Sequence, residues 1–178
     1  MKAEFLRDAA MTAVIFGFVG MGWFGWAQEA PPKRMQKWLG IGSGIGIAIA
    51  LAGGLIAWRN WDAGTAIDAE TGPRFGIIVG IEFGLAGLGA VLLIWRKLGA
   101  WIAPWIAFVV GVHFYPLAPL LKEPMLHVTA TLVTLGSLLA AWIAWKRKLT
   151  PSYVTGVITG SLLGLSGAVA LATALLAY

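Results

Sequence analysis

Residues 75–95 read FGIIVGIEFGLAGLGAVLLIW, an apolar stretch in which Glu82 is the one charged side chain. The hydrocarbon core of a bilayer is about 30 Å thick, and about 20 consecutive apolar residues cross it as an α-helix. The stretch therefore predicts a transmembrane helix with an acid inside it.

Five further stretches have the same apolar character as residues 75–95. They cover residues 9–28, residues 38–58, a segment that starts at residue 101 and is interrupted near Pro116, residues 125–145 and residues 153–177. Six such spans occupy most of the 178 residues. The sequence thus predicts an all-α polytopic membrane protein, with one six-helix transmembrane domain over residues 1–178.

The composition excludes several other classes of protein. Hydrophobic residues make up 59% of the chain and charged residues 12%, and the mean hydropathy is +0.82. Soluble domains carry about 25% charged residues, so a soluble enzyme, a disordered chain and a nucleic-acid binder are excluded. The chain has no cysteine, which removes thiolate ligands for a metal. We expect the lipid bilayer as partner, no nucleic acid, and no metal or cofactor.

The distribution of lysine and arginine predicts the orientation of the spans. Eight of these residues fall in three alternate loops, after the first, third and fifth spans, and five fall on the opposite side. The eight are Lys33, Arg34, Lys37, Arg96, Lys97, Lys146, Arg147 and Lys148. Because cytoplasmic loops are enriched in lysine and arginine, we expect these loops in the cytoplasm and both termini outside.

Glycines recur with the same spacing in the third and sixth spans. The sets are Gly76, Gly80, Gly84 and Gly87 in the third span, and Gly156, Gly160, Gly164 and Gly167 in the sixth. Such small-residue stripes are typical of closely packed membrane helices, so we expect helix contacts there and a third helix at the centre of the bundle. The shared spacing is also compatible with a 3+3 inverted repeat, as in many transporters, although packing alone explains it too.

Glu82 and His113 are the candidate functional pair. Each lies about 12–13 Å inside the outer boundary of its span, at 1.5 Å per helical residue. Ionisable groups at such depth are costly unless they are paired or face water, and they often belong to proton relays. We therefore expect the two side chains to approach each other and to share a proton. The alternative is a static hydrogen bond that fixes the helix register.

Two prolines and two further polar residues lie close to this pair along the sequence. Pro116 and Pro119 each remove a backbone N–H, so we expect the fourth helix to kink or break beside His113. Tyr115 lies between His113 and Pro116, and His127 lies near the outer interface. Both are candidates for binding or proton relay, and a wet boundary position is the alternative for His127.

Residues 108–118 read FVVGVHFYPLA, and residues 75–82 read FGIIVGIE. Together they resemble a family of uncharacterised bacterial polytopic integral membrane proteins that carry a GxHFxPLA-like segment after a glutamate-bearing helix. The resemblance covers about residues 75–130. It implies a location in the bacterial cytoplasmic membrane and no particular activity.

Several functions agree with these features. The first is a small transporter or channel in which Glu82 and His113 face an outer-side cavity that takes a small molecule or ion. The second is an intramembrane enzyme that uses the same pair as acid and base on a lipid-like substrate. A haem or quinone protein with His113 and His127 as ligands, and a structural or accessory subunit, are further alternatives. The sequence assigns no catalytic residue and no oligomeric state.

Overall fold

The computed structural model describes residues 4–176 of the chain. Within them the chain forms six long α-helices, and no β-strand is assigned in that range. The helices are α1 (Leu6–Trp26), α2 (Lys33–Arg59), α3 (Thr71–Trp95), α4 (Ile102–Leu120), α5 (Met125–Arg147) and α6 (Pro151–Leu176). Short 3₁₀ turns follow α1 (Ala27–Glu29) and precede α4 (Gly99–Trp101).

All six helices are long and apolar enough to cross a membrane, which confirms the predicted fold class. Some helices begin earlier than the apolar stretches do: α2 starts at Lys33 and α3 at Thr71. Hydropathy marks the edge of the hydrocarbon layer, whereas the backbone hydrogen-bond ladder continues into the polar interface. Lys2, one of the five basic residues on the side opposite the three basic loops, and Ala177, at the end of the sixth predicted span, lie outside the described residues.

Helix α1 packs against both α2 and α6, and α6 also packs against α4 and α5. Glycines permit the closest of these contacts. A Cβ atom at Gly17 would lie 2.6 Å from the carbonyl oxygen of Gly46, and one at Gly46 would lie 2.6 Å from that of Gly17. In lipid, helices gain little from burying apolar surface and associate through such close backbone packing. The α1–α2 contact therefore depends on both glycines.

The glycines of α6 are packed at three of the four predicted positions. A Cβ atom at Gly156 would lie 2.5 Å from the carbonyl oxygen of Trp23, one at Gly160 would lie 3.2 Å from the ring of Phe24, and one at Gly167 would lie 3.2 Å from the backbone nitrogen of Gly17. A Cβ atom at Gly164 would meet no atom within 4 Å. The predicted packing on α6 is thus found at Gly156, Gly160 and Gly167, facing α1.

The expectation that the third helix is the most enclosed is wrong. No residue of α3 is buried across Thr71–Trp95, all of which the structure describes. The helix packs against α4 and the turn before it. A Cβ atom at Gly76, Gly80 or Gly84 would meet no atom within 4 Å, so these three glycines make no close helix contact. An apolar helix tolerates this position because lipid is as apolar as a protein core.

The fourth helix is not broken beside His113. It continues through Pro116 and Pro119 to Leu120. Leu117 and Ala118, which follow the first proline, are buried in the main hydrophobic core. Packing against α5 and α6 therefore holds the helix together even though each proline removes one backbone hydrogen bond. A kink of the helix axis at these prolines stays a prediction.

Candidate functional site

The structure brings Glu82 and His113 together at the contact between α3 and α4. The Nε2 atom of His113 lies 3.3 Å from the Oε2 atom of Glu82. The two side chains are 12% and 15% exposed, respectively. Among helices that otherwise meet through apolar side chains, this is a largely buried acid–base contact. The two side chains approach each other, as their depth in the sequence predicted.

The other ring nitrogen of His113 fixes how this contact is protonated. Nδ1 lies 2.6 Å from the carbonyl oxygen of Val110. A carbonyl oxygen only accepts hydrogen bonds, so Nδ1 carries a hydrogen and donates it. A single further proton, on Nε2 of His113 or on the carboxyl group of Glu82, would leave the pair without net charge. Moving that proton between the two sites would convert an ion pair into a neutral pair.

The pair borders an apolar cavity of about 340 Å³ that is lined only by α3 and α4. Its other walls include Ile78, Ile81, Leu85, Trp105, Phe108 and Val112. A second cavity, of about 710 Å³, lies between α3, α4 and α5 and shares Leu85, Trp105 and Phe108 with the first. We call the two together the lateral groove. Exposed side chains form its rim, among them Ile81, Leu88 and Leu138, so the groove opens toward the bilayer.

A tryptophan links α3 to α4 inside the lateral groove. The indole N–H of Trp105 donates a hydrogen bond to the carbonyl oxygen of Leu85 at 3.1 Å. Its ring occupies the place that a side chain at Gly89 would take. From the sequence alone, Trp105 is expected to belong to the belt of tryptophans that is common at membrane interfaces. Its contact and the Glu82–His113 contact together hold α3 against the bundle.

Tyr115 and His127 do not join the pair. The hydroxyl of Thr131 donates to the carbonyl oxygen of His127, and the hydroxyl of Tyr115 lies 2.9 Å from that of Thr131. The rings of Tyr115 and His127 have their centroids 6.3 Å apart. Both side chains are exposed, and neither lines the lateral groove. They form a separate polar contact between α4 and α5.

The arrangement disfavours His113 as a ligand of haem iron or of another metal. Its Nδ1 donates to Val110 and its Nε2 faces Glu82, so neither nitrogen is directed at a vacant site. Among residues 4–176, no three histidine, aspartate or glutamate residues are grouped closely enough to hold a metal ion.

Glu123, in the turn between α4 and α5, is a buried acid that the sequence analysis did not single out. Its side chain is 6% exposed, and the hydroxyl of Thr12 donates to its Oε2 atom at 2.8 Å. Burial raises the pKa of Glu123 to about 7, and the nearby charge of Asp8 acts in the same direction, whereas the hydrogen bond from Thr12 opposes the rise. The sequence around it, Lys122-Glu123-Pro124, is typical of an exposed interfacial loop.

The backbone at Lys122 explains why Glu123 points inward. Lys122 adopts a left-handed conformation, with φ of 51°. Its ammonium group lies 2.9 Å from the carboxylate of Glu4, on the outside of the bundle. The neighbouring Glu123 then turns toward α1, where Thr12 lies. This contact joins residues 111 positions apart, so no local sequence pattern predicts it.

Comparison of the chain with protein-family models, with curated proteins and with solved structures finds no match. The function is therefore argued from the site itself.

Proposed function

We propose that the protein binds the polar head of a lipid-soluble molecule at Glu82 and His113, with its apolar body in the lateral groove, and that the pair hydrogen-bonds to this head. The observation that carries the proposal is the groove itself. It reaches the acid–base pair from the side of the bundle, between α3 and α4, and its walls are almost entirely apolar. An ion or a hydrophilic solute needs a polar path, which favours the lipid-like substrate over transport of a polar solute.

The charge of the pair limits the chemistry of the head group. We infer that Glu82 and His113, which lie 3.3 Å apart, share one proton and carry no net charge, so a charged head would be left without a counter-ion in an apolar site. A hydroxyl or carbonyl head has no such cost. The protonated partner can donate a hydrogen bond to it and the unprotonated partner can accept one. We therefore propose a long-chain alcohol or carbonyl compound as the class of ligand.

The groove has room for the apolar part of such a molecule. Along α3 it runs from Glu82 to Leu93, which is about 16 Å at 1.5 Å per residue. Ligand pockets in proteins measure about 300–1,000 Å³, and both cavities fall within that range. Its opening toward the bilayer lets a lipid enter without crossing water.

Photo-crosslinking tests this proposal. The purified protein in lipid nanodiscs is incubated with hexadecanol carrying a diazirine in its chain, irradiated, and digested for mass spectrometry. We expect labels concentrated on groove residues of α3 and α4, and we expect Glu82→Gln to remove most of them. Thr131→Val, on the separate Tyr115 contact, should label as the wild type does. Labels spread evenly over all lipid-facing helices, or unaffected by Glu82→Gln, would contradict the proposal.

We also propose that the protein lies in the bacterial cytoplasmic membrane with both termini outside. The charge asymmetry of the loops supports this orientation, and the family resemblance supports the location. Because the chain has no cysteine, a single introduced cysteine shows on which side of the membrane its loop lies, without background labelling of the protein. In intact cells a membrane-impermeant thiol reagent should label Asp62→Cys, and it should label Arg96→Cys only after permeabilisation. The opposite pattern would reverse the orientation.

A further inference from the structure

A cavity of about 220 Å³ lies between α1, α5 and α6, with the carboxyl group of Glu123 in its wall. We name it the Glu123 pocket; its lining includes Thr12, Phe16, Leu132, Leu165, Ser166 and Val169. It shares no lining residue with the lateral groove. We propose that the Glu123 pocket binds a primary ammonium group attached to a short apolar chain, with the Glu123 carboxylate as counter-ion.

Charge is the first argument for a cationic ligand. Among residues 4–176, Glu123 is the only ionisable residue that lines this pocket. The basic side chains around it are occupied elsewhere: Lys122 pairs with Glu4, and Arg7, which lines a neighbouring cavity together with Glu123, donates to the carbonyl oxygen of Trp61 at 2.8 Å. Across residues 4–176, no lysine, arginine or histidine forms a salt bridge with Glu123. A buried carboxylate without a cation is unfavourable, and an ammonium ligand would supply the missing charge.

The hydroxyl groups of the pocket suit an ammonium group as well. Thr129 and Ser166 are hydrogen-bonded to each other across α5 and α6, with their oxygens 3.0 Å apart. The hydroxyl of Thr12 already donates to Glu123, and that of Thr173 donates to the carbonyl oxygen of Val169. With their hydrogens used in this way, Thr12 and Thr173 present free lone pairs. An ammonium group has three donors and no acceptor, so it complements these oxygens.

The apolar walls indicate that the ligand also has a hydrocarbon part. From Met125 to Leu132 the pocket follows α5 for about 10 Å into the bilayer. Leu132, Leu165 and Val169 are partly open to the lipid side. A single inorganic ion would leave most of the volume empty, since a water molecule takes about 30 Å³ in the liquid. An alkylammonium ion fills the pocket with its head at the interface and its chain among these side chains.

Hexylammonium is the probe that tests the proposal, with 1-hexanol and hexyl sulfate as matched neutral and anionic compounds. Binding to the purified full-length protein is measured from ligand-dependent stabilisation against heat. We expect hexylammonium to half-saturate at a concentration at least tenfold lower than either comparison compound. Glu123→Gln, which keeps an acceptor for Thr12, should remove this tenfold preference. Glu29→Gln, at an exposed carboxyl near the other end of α1, should keep it.

The pH dependence of binding gives a second readout that needs no variant. The pKa of Glu123 is about 7, so raising the pH from 6 to 8 should increase the affinity for hexylammonium by about tenfold. An alkylammonium stays protonated over this range, as lysine does. Around Glu123, Asp8 lies on α1, Lys122 is paired with Glu4, and Arg7 is bound to Trp61. Glu123 is expected to change its charge between pH 6 and pH 8, because its pKa is about 7.

The outcomes separate this proposal from its alternatives and from the proposed function. Equal affinity for hexylammonium and hexanol in the wild type would overturn it, whether or not Glu123→Gln folds. Competition by inorganic cations is tested with sodium, potassium and choline chloride at equal ionic strength. If sodium or potassium chloride competes with hexylammonium more strongly than choline chloride does, the pocket is an inorganic-cation site instead. If phosphatidylethanolamine in nanodiscs competes with hexylammonium, the ammonium group comes from a lipid head. If phosphatidylethanolamine does not compete, the ammonium group comes from a soluble amine. None of these results depends on Glu82 or His113.

Discussion

Replacing Gly17 with leucine is expected to abolish the stable bundle, whereas the same replacement at Gly84 should leave stability nearly unchanged. At Gly17 even a Cβ atom would lie 2.6 Å from the carbonyl oxygen of Gly46 and 2.8 Å from the backbone nitrogen of Ala50. Backbone atoms cannot move aside as a flexible side chain can. Extra methylene groups in a packed core cost about 1–3 kcal/mol, and leucine inserts more than one into this contact.

Thermal unfolding of the two variants in the same detergent measures the difference. We expect Gly17→Leu to lower Tm by more than about 10 °C or to prevent recovery of folded protein. Gly84→Leu should shift Tm by no more than about 2 °C, because its side chain enters the lipid-facing surface. Equal losses in both variants would mean that α3 is enclosed by a partner at Gly84, for example in an oligomer.

The contrast between Gly17 and Gly84 also shows which parts of the fold were readable from the sequence. Hydropathy identified the six spans because a helix must keep its side chains apolar through about 30 Å of hydrocarbon. The same requirement holds for lipid-facing and buried faces, so hydropathy did not distinguish the packed helix α1 from α3, in which no residue is buried across Thr71–Trp95. The glycine spacing did not distinguish them either. Gly156 and Gly160 face α1, whereas a Cβ atom at Gly76 or Gly80, at the same positions of the pattern, would meet no atom within 4 Å.

The buried ionisable residues also differ in whether the sequence predicts their positions. Glu82 and His113 could be paired from their depth alone, since buried ionisable groups need partners and helical rise gives their level in the membrane. Glu123 could not be found in this manner. Its burial follows from the left-handed backbone at Lys122 and from a hydrogen bond to Thr12 at the other end of the chain. Tertiary contacts of this kind produce no periodic pattern in the sequence from which they could be predicted.

Removing both members of the Glu82–His113 pair is expected to harm the protein's stability less than removing either one. In Glu82→Leu, the Nε2 atom of His113 loses its partner, and in His113→Leu the carboxyl group of Glu82 does. An unsatisfied buried polar group costs about 1–3 kcal/mol, and an unpaired buried charge about 3–5 kcal/mol. The double variant replaces the pair by apolar side chains in an apolar groove, which is often neutral or stabilising. If the double variant loses less than either single variant, the coupling exceeds the larger single loss, so a double-mutant cycle should give a coupling of at least about 1 kcal/mol.

The double variant also separates the structural role of the pair from the proposed function. If the pair binds the head group of a lipid-soluble alcohol, the folded double variant should no longer be labelled in the groove by the diazirine probe. A static pair that only fixes the register of α3 on α4 would give the same coupling but unchanged labelling. Additive losses in the two single variants would instead show that Glu82 and His113 do not interact, since contacting residues couple whereas independent sites add. Measured together, the coupling and the labelling therefore decide both whether the pair forms and whether it binds.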